Sequence, residues 1–334
     1  MSNARELAQI PSTPSGRRNL IINGAMTVWQ RGTTVDTASS GSYLCDRWRI
    51  GHSGTDGNVD IDRSTDVPSG QGFAYSQKIS MDASETSLDA DDLVSLQQRI
   101  EAQDLQHLAK GTSSARKVTA SFWVKSSVAS TYTLEIKDAD NTRNISASYT
   151  IGAANTWEYK TVTFAGDTSG VLNNDNGTGF EFVFWLDAGT TFTSGTFSTA
   201  WQAQDNSERV YDTTGWLEST SPEFYLTGVQ LEVGSVATEF EHRSYGEELT
   251  LCQRYFETSY DDGVGLSSDG KCTGTSLDNS GLDTIQGQRF MVAKRISPTV
   301  NILAIQEIDG TGSFSVIAVD HINSLGFLRI RSSG

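Results

Sequence analysis

The sequence predicts an all-β fold: an antiparallel two-sheet jelly-roll β-sandwich, then a short connecting helix and a small C-terminal β domain. Three observations predict it. Apolar alternations of period two recur along most of the chain, clusters of Gly, Asn, Asp, Ser and Thr separate them, and one stretch alone shows sustained helical periodicity. At 334 residues the chain suits two domains, or one large β domain with an appendage.

Residues 1–18 are polar and include Pro11 and Pro14, which marks an extended arm. The sandwich is expected over 19–243. In 117–126, Val118, Ala120, Phe122 and Val124 share one face, opposite Thr119, Ser121, Trp123 and Lys125. In 131–138, Tyr132, Leu134 and Ile136 alternate with Thr133, Glu135 and Lys137, and in 179–187 Phe180, Phe182, Phe184 and Leu186 oppose Glu181, Val183 and Trp185. Such patterning buries one face of each strand. Further strands are expected at 73–79, 94–101, 144–150, 157–164 and 222–233, with a β-bulge in 157–164 where the apolar phase slips. A helical turn over 104–110 should stop at Gly111.

The helix is expected over 244–257, inside a connector of 244–258. Glu247 and Glu248 sit in its first turn and Arg254 near its end, as the helix dipole favours. Leu249, Cys252 and Phe256 form a narrow apolar stripe fit for a connector or oligomer contact. Residues 259–334 form the C-terminal β domain, with strands near 288–294, 299–304, 313–318 and 326–331. It is small for a domain standing alone, so an oligomer would help it.

Charge narrows the function. The sum 25 − 41 gives −16, which repels phosphate backbones and anionic membranes and argues against nucleic-acid binding. No apolar run reaches the ~20 residues of a membrane span, and the N-terminus lacks the basic-then-apolar pattern of a secretory signal. Cys45, Cys252 and Cys272 have no paired spacing and fit neither a disulfide scaffold nor a zinc motif.

Catalytic motifs are poor. The stretch Gly265-Leu266-Ser267-Ser268-Asp269-Gly270-Lys271-Cys272 misses a phosphate-binding loop by its last residue, where magnesium needs a hydroxyl; it reads as a glycine-rich hairpin loop. His52, His107, His242 and His321 show no metal spacing, and no Gly-x-Ser-x-Gly elbow exists. Paired carboxylates for glycoside cleavage stay open among 41 acids. Asn173 and Asp175 offer oxygens to a structural calcium ion, but an Asx-rich turn is the better reading. No cofactor is expected.

Trp123 and Trp185 lie opposite the core stripes of their strands. Were those strands in one sheet, two indoles would form a platform on which sugar rings stack; cover by loops or another subunit is the competing reading.

Two segments carry a resemblance. Arg18-Asn19-Leu20-Ile21-Ile22-Asn23-Gly24-Ala25-Met26-Thr27-Val28-Trp29-Gln30-Arg31-Gly32 with Cys45-Asp46-Arg47-Trp48, and Gly228-Val229-Gln230-Leu231-Glu232-Val233-Gly234 continuing through Phe240–Tyr245 to Leu251–Phe256, resemble bacteriophage virion appendage proteins of the tail-fibre or head-fibre type. Gln97–Glu101 and Ser121–Lys125 resemble strands of jelly-roll carbohydrate-binding modules. The resemblance implies a non-enzymatic virion protein made in the host cytoplasm. It would be a tail fibre or fibre-like adhesin, commonly homotrimeric, attached to other virion proteins through residues 1–18 and binding host-surface glycans multivalently. No repetitive shaft is present, which keeps a head fibre or capsid-decoration protein without a defined ligand as an alternative. A glycan-cleaving tailspike is a second.

Overall fold

A computed structural model describes residues 17–258, 263, 288–300, 315–320, 322–327 and 329–333. The chain divides into two compact units, one of residues up to Thr27 with Thr34–Arg243, the other of Val28–Thr33 with Ser244–Gly334.

The first unit is a sandwich of two six-stranded antiparallel sheets. Its strands are β1 (Thr34–Val35), β2 (Arg49–Ser53), β3 (Val59–Ser64), β4 (Ser76–Met81), β5 (Leu93–Glu101), β6 (Val118–Ser126), β7 (Thr131–Asp138), β8 (Arg143–Thr150), β9 (Glu158–Phe164), β10 (Thr178–Ala188), β11 (Gln202–Ala203) and β12 (Glu223–Val233). The first sheet runs β1-β3-β4-β12-β6-β9 and the second β11-β8-β7-β10-β5-β2. The chain crosses repeatedly from one to the other, which is jelly-roll connectivity. Between the sheets lie the residues that the alternation places inward. Phe122 meets Phe184 edge-on at 4.9 Å between ring centroids, Phe182 meets Phe184 at 5.2 Å, and Phe122 meets Tyr149 at 5.0 Å. Edge-to-face contacts of this kind add specificity to the area buried.

Strands β1, β2, β3 and β11 were not expected: β1 and β11 have two residues each, β2 has a single large apolar residue in Ile50, and the alternation of β3 rests on Val59 and Ile61 alone. The bulge expected in 157–164 is absent, because β6 and β9 pair without a register shift from Val118↔Phe164 to Val124↔Glu158. The phase slips because Trp157 and Tyr159 face outward. A register shift occurs instead in β12, between Thr227 and Gln230. The expected turn at 104–110 is a 3-10 turn over Ala102–Leu108, ended by Ala109 in the left-handed conformation (φ 50°) rather than by Gly111.

Residues 18–24 and 228–243 of the two resembling segments meet in this unit. Residues 19–24 are buried without regular structure, so their backbone needs side-chain partners. Gln98 supplies two: its Oε1 accepts from Ile22 N at 2.8 Å and its Nε2 donates to Ile22 O at 2.8 Å. Asn19 Nδ2 donates to Val229 O at 3.0 Å, and its Oδ1 accepts from Ile21 N and Leu231 N. Glu241 accepts from Arg18 N and Asn19 N, and Arg243 donates to Ile21 O at 3.1 Å. Trp48 Nε1 donates to Asn23 O at 3.0 Å.

In the second unit, a helix occupies Tyr245–Gln253, capped by Ser244 and Glu247 in a reciprocal capping box. It ends four residues before the expected 257; Tyr255 N and Phe256 N both close on Cys252 O. Strands β13 (Gln288–Arg289) and β15 (Gly326–Phe327) pair, as do β14 (Ser315–Asp320) and β16 (Arg329–Ser333), all antiparallel. The expected strand at 299–304 falls mostly outside the described residues. So do the loop at 265–272 with Cys272, and most of the arm.

Candidate functional site

The outward face of the first sheet is where side chains of chemical interest gather. Pairing places Trp123 of β6 opposite Tyr159 of β9, and Tyr225 of β12 opposite both Lys125 of β6 and Lys78 of β4. Trp123 and Tyr159 lie 5.3 Å apart, and Trp157, just ahead of β9, meets Tyr225 edge-on at 6.2 Å. Tyr159 is 45% exposed, Trp123 and Trp157 are half-buried, and Tyr225 is buried. The shift in β12 centres on Gly228 (φ +63°), where a Cβ would lie 2.6 Å from Phe73 and 3.1 Å from Trp123. Glycine there lets both rings press on the backbone.

Polar groups frame the aromatics. Trp157 Nε1 donates to Asp66 Oδ1 at 2.8 Å, and Lys125 pairs with Asp66 while its Nζ lies 4.0 Å above the Tyr225 ring. Lys78 pairs with Glu223 at 2.7 Å, and Tyr225 donates its hydroxyl to Glu223 at 2.9 Å. Burial pushes the Asp66 carboxyl up, but hydrogen bonds from Lys125 and Trp157 outweigh it and hold the group below the ordinary value. Glu223 behaves alike, with Lys78 and Tyr225 overcoming its burial. Burial and the bond to Glu223 push the Tyr225 hydroxyl well up, so it stays a donor.

Trp123 and Trp185 do not form one platform. Trp123 is in the first sheet and Trp185, on β10, is in the second. Trp185 is 3% exposed, because the connection from Gly189 to Pro222 folds across its sheet. That connection carries α1 (Thr190–Thr193), whose Phe192 packs on Trp185 with Val210 beside it. Beneath, Glu135 accepts from Trp185 Nε1 at 3.0 Å and from Arg209 through both carboxylate oxygens. The length of the connection and its apolar residues were the missed signal, since a long loop in a compact domain has to lie on something. Trp157 and Tyr159 escape a reading of the sequence because a slip in apolar phase is also what a bulge produces.

Asn173 and Asp175 serve a turn. Asn173 donates through N and Nδ2 to Asp140 at 2.9 Å each, and Asp175 Oδ1 accepts from Gly177 N at 2.9 Å. Among the described residues no group of three His, Cys, Asp or Glu is placed to hold a metal. Of the helix stripe, Cys252 is buried, while Leu249 and Phe256 are half-buried. Phe256 lies beyond the helix, where the Arg31 guanidinium sits 3.6 Å above its ring.

No family model matches the chain, and no curated protein does. Solved structures similar to parts of it include three at low identity. The enzymatically active domain of bacteriophage CBA120 tailspike protein 4 is 14% identical over 60% of this chain with a TM-score of 0.32, and the match spans 22% of that chain. A structure described as "CBM4 structure and function" is 14% identical over 64% of this chain and 98% of its own (TM-score 0.34). TmCBM61 in complex with β-1,4-galactotriose is 12% identical over 65% and 100% (TM-score 0.32). The jelly-roll assignment itself rests on the strand order and register given above.

Proposed function

We propose that this chain is a non-enzymatic bacteriophage virion appendage protein that binds glycans through the outward face of its first sheet. The observation that carries the binding half is the asymmetry of the two faces. One sheet leaves Trp123, Trp157 and Tyr159 accessible beside paired polar groups, while the other has its tryptophan sealed under a loop. Accessible indole and phenol faces stack on the apolar faces of sugar rings, and neighbouring polar atoms hydrogen-bond the hydroxyls. The virion half is supported by the two resembling segments. In this reading residues 1–18 dock on other virion proteins and the chain works as a homotrimer, so that three weak sites gain avidity together.

The test is retention on a glycan array. The double substitution Trp123→Ala and Tyr159→Ala should abolish retention by the intact protein and leave the far-ultraviolet dichroism unchanged. Retention that survives both changes places the site elsewhere. Polysaccharide chain length should stay constant on incubation; shortening would make the protein a tailspike enzyme.

A further inference from the structure

Resting on that reading, we infer that the ligand is an uncharged glycan lying along β9. Trp157, Tyr159, Thr161 and Thr163 alternate outward, and Tyr159, Thr161 and Thr163 are exposed. Pairing sets Thr161 beside Ser121 and Thr163 beside Thr119, whose hydroxyls lie 2.9 Å apart. From Trp157 to Thr163 this strip runs about 20 Å at strand rise, room for several sugar rings. One end is aromatic and the other carries hydroxyls alone. Such hydroxyls both donate and accept, as sugar hydroxyls do.

Charge decides the class. Recognition of a uronate, sialate or phosphate needs an uncompensated cation, best a bidentate arginine. On this face Lys125 is spent on Asp66 and the Tyr225 ring, and Lys78 on Glu223; exposed Lys117, just ahead of β6 beyond the Thr119 end of the strip, is a single hydrated point charge and not a bidentate fork. Asp60 and Asp62 add acids that accept from Thr37 N and Thr34 Oγ1. The ionised residues of β9, Glu158 and Lys160, alternate with the strip, face the other way and pair with each other. With a chain charge of −16, the field around the strip repels anions.

A glycan array holding neutral and acidic oligosaccharides, probed with the intact protein at low and high salt, tests this. Retention should fall on neutral glycans and stay constant with salt, since no ion pair is screened. Thr161→Lys should weaken neutral retention about tenfold, the loss of one hydroxyl contact and the arrival of a charge, with an unchanged melting temperature. Binding to acidic glycans that weakens with salt would overturn the uncharged class while leaving glycan binding in place. Binding to neutral glycans that ignores Thr161→Lys would overturn the track along β9. No retention on any glycan would remove the parent reading itself.

Discussion

Lys110 shows how one side chain can close a loop cluster. Its Nζ pairs with Asp138, lies 3.0 Å from Asp167 Oδ2, and donates to Ser169 O at 3.1 Å and Gly170 O at 2.7 Å. The residue is 6% exposed, and Trp201 covers the ammonium at 5.1 Å. Two carboxylates and two carbonyls are the oxygens a hard cation takes, and here an ammonium occupies them. Arg143 also binds Asp167, through Nε to Oδ2 at 2.8 Å and through its second nitrogen to Oδ1 at 3.1 Å, so the charges are compensated within the cluster. Removing one partner of a buried pair strands the rest. Lys110→Met should therefore cost about 3 kcal/mol or more of unfolding free energy, measured by urea titration. A chelator should leave the melting temperature of the unaltered protein where it was. A chelator-sensitive transition would show a metal in this sandwich and defeat the assignment.

The strands and the buried segment beside them carry the second lesson. Gly24 sits where a Cβ would lie 2.0 Å from Val229 O, while Val229 N donates to Gly24 O at 2.9 Å. A methyl group there forces apart the two segments that Asn19 and Glu241 tie together. Gly24→Ala should destabilise by roughly 2 kcal/mol, seen as a lower urea midpoint, whereas Gly152→Ala, where a Cβ would meet nothing nearer than Glu158 Oε1 at 3.8 Å, should cost less. Equal losses would mean the close approach is not what selects glycine at 24. The long strands β6, β7 and β10 were legible because each has one apolar stripe facing the core, which fixes both type and phase, whereas in β12 the stripe changes phase from Phe224 and Leu226 to Val229 and Leu231. Short β1 and β11 were not, since two residues carry no period. The resembling segments were legible as words but not as a clasp, because Asn19 and Gln98 act across distances in sequence that spacing does not show. The site was half legible. Alternation turned Trp123 and Trp185 outward, but which strands share a sheet and which loop lies over them are tertiary facts. Trp157 and Tyr159 read as outward residues only once Glu158 and Lys160 are understood as charges on an edge strand, where they discourage further pairing.

Across the molecule, the acid excess sets how stability responds to pH. Burial pushes up the carboxyls of Asp66, Glu158, Asp167, Glu181, Glu223 and Glu241, yet bonds from lysine, arginine or backbone N–H outweigh it and leave each below its ordinary value. Among the shifted carboxyls of the described residues Glu85 alone moves up, through burial. A carboxyl lowered by folding stabilises the native state at every pH above its unfolded value, and that contribution fades as pH falls through the lowered one. The unfolded values are the ordinary 3.8 and 4.5 of Asp and Glu. The urea midpoint should thus stay nearly level from pH ~7 to ~5 and drop steeply below about 4. Self-repulsion at −16 works the other way, since protonating unpaired surface acids relieves it. The paired groups should dominate because they sit near or below the surface, where salt and water screen them less than exposed charges. The double substitution Asp167→Asn and Glu241→Gln should lower the midpoint at neutral pH and flatten the acid limb. A midpoint that rises between pH ~5 and ~3 would mean that repulsion, and not the network of bonded carboxylates, governs the acid response of this sandwich.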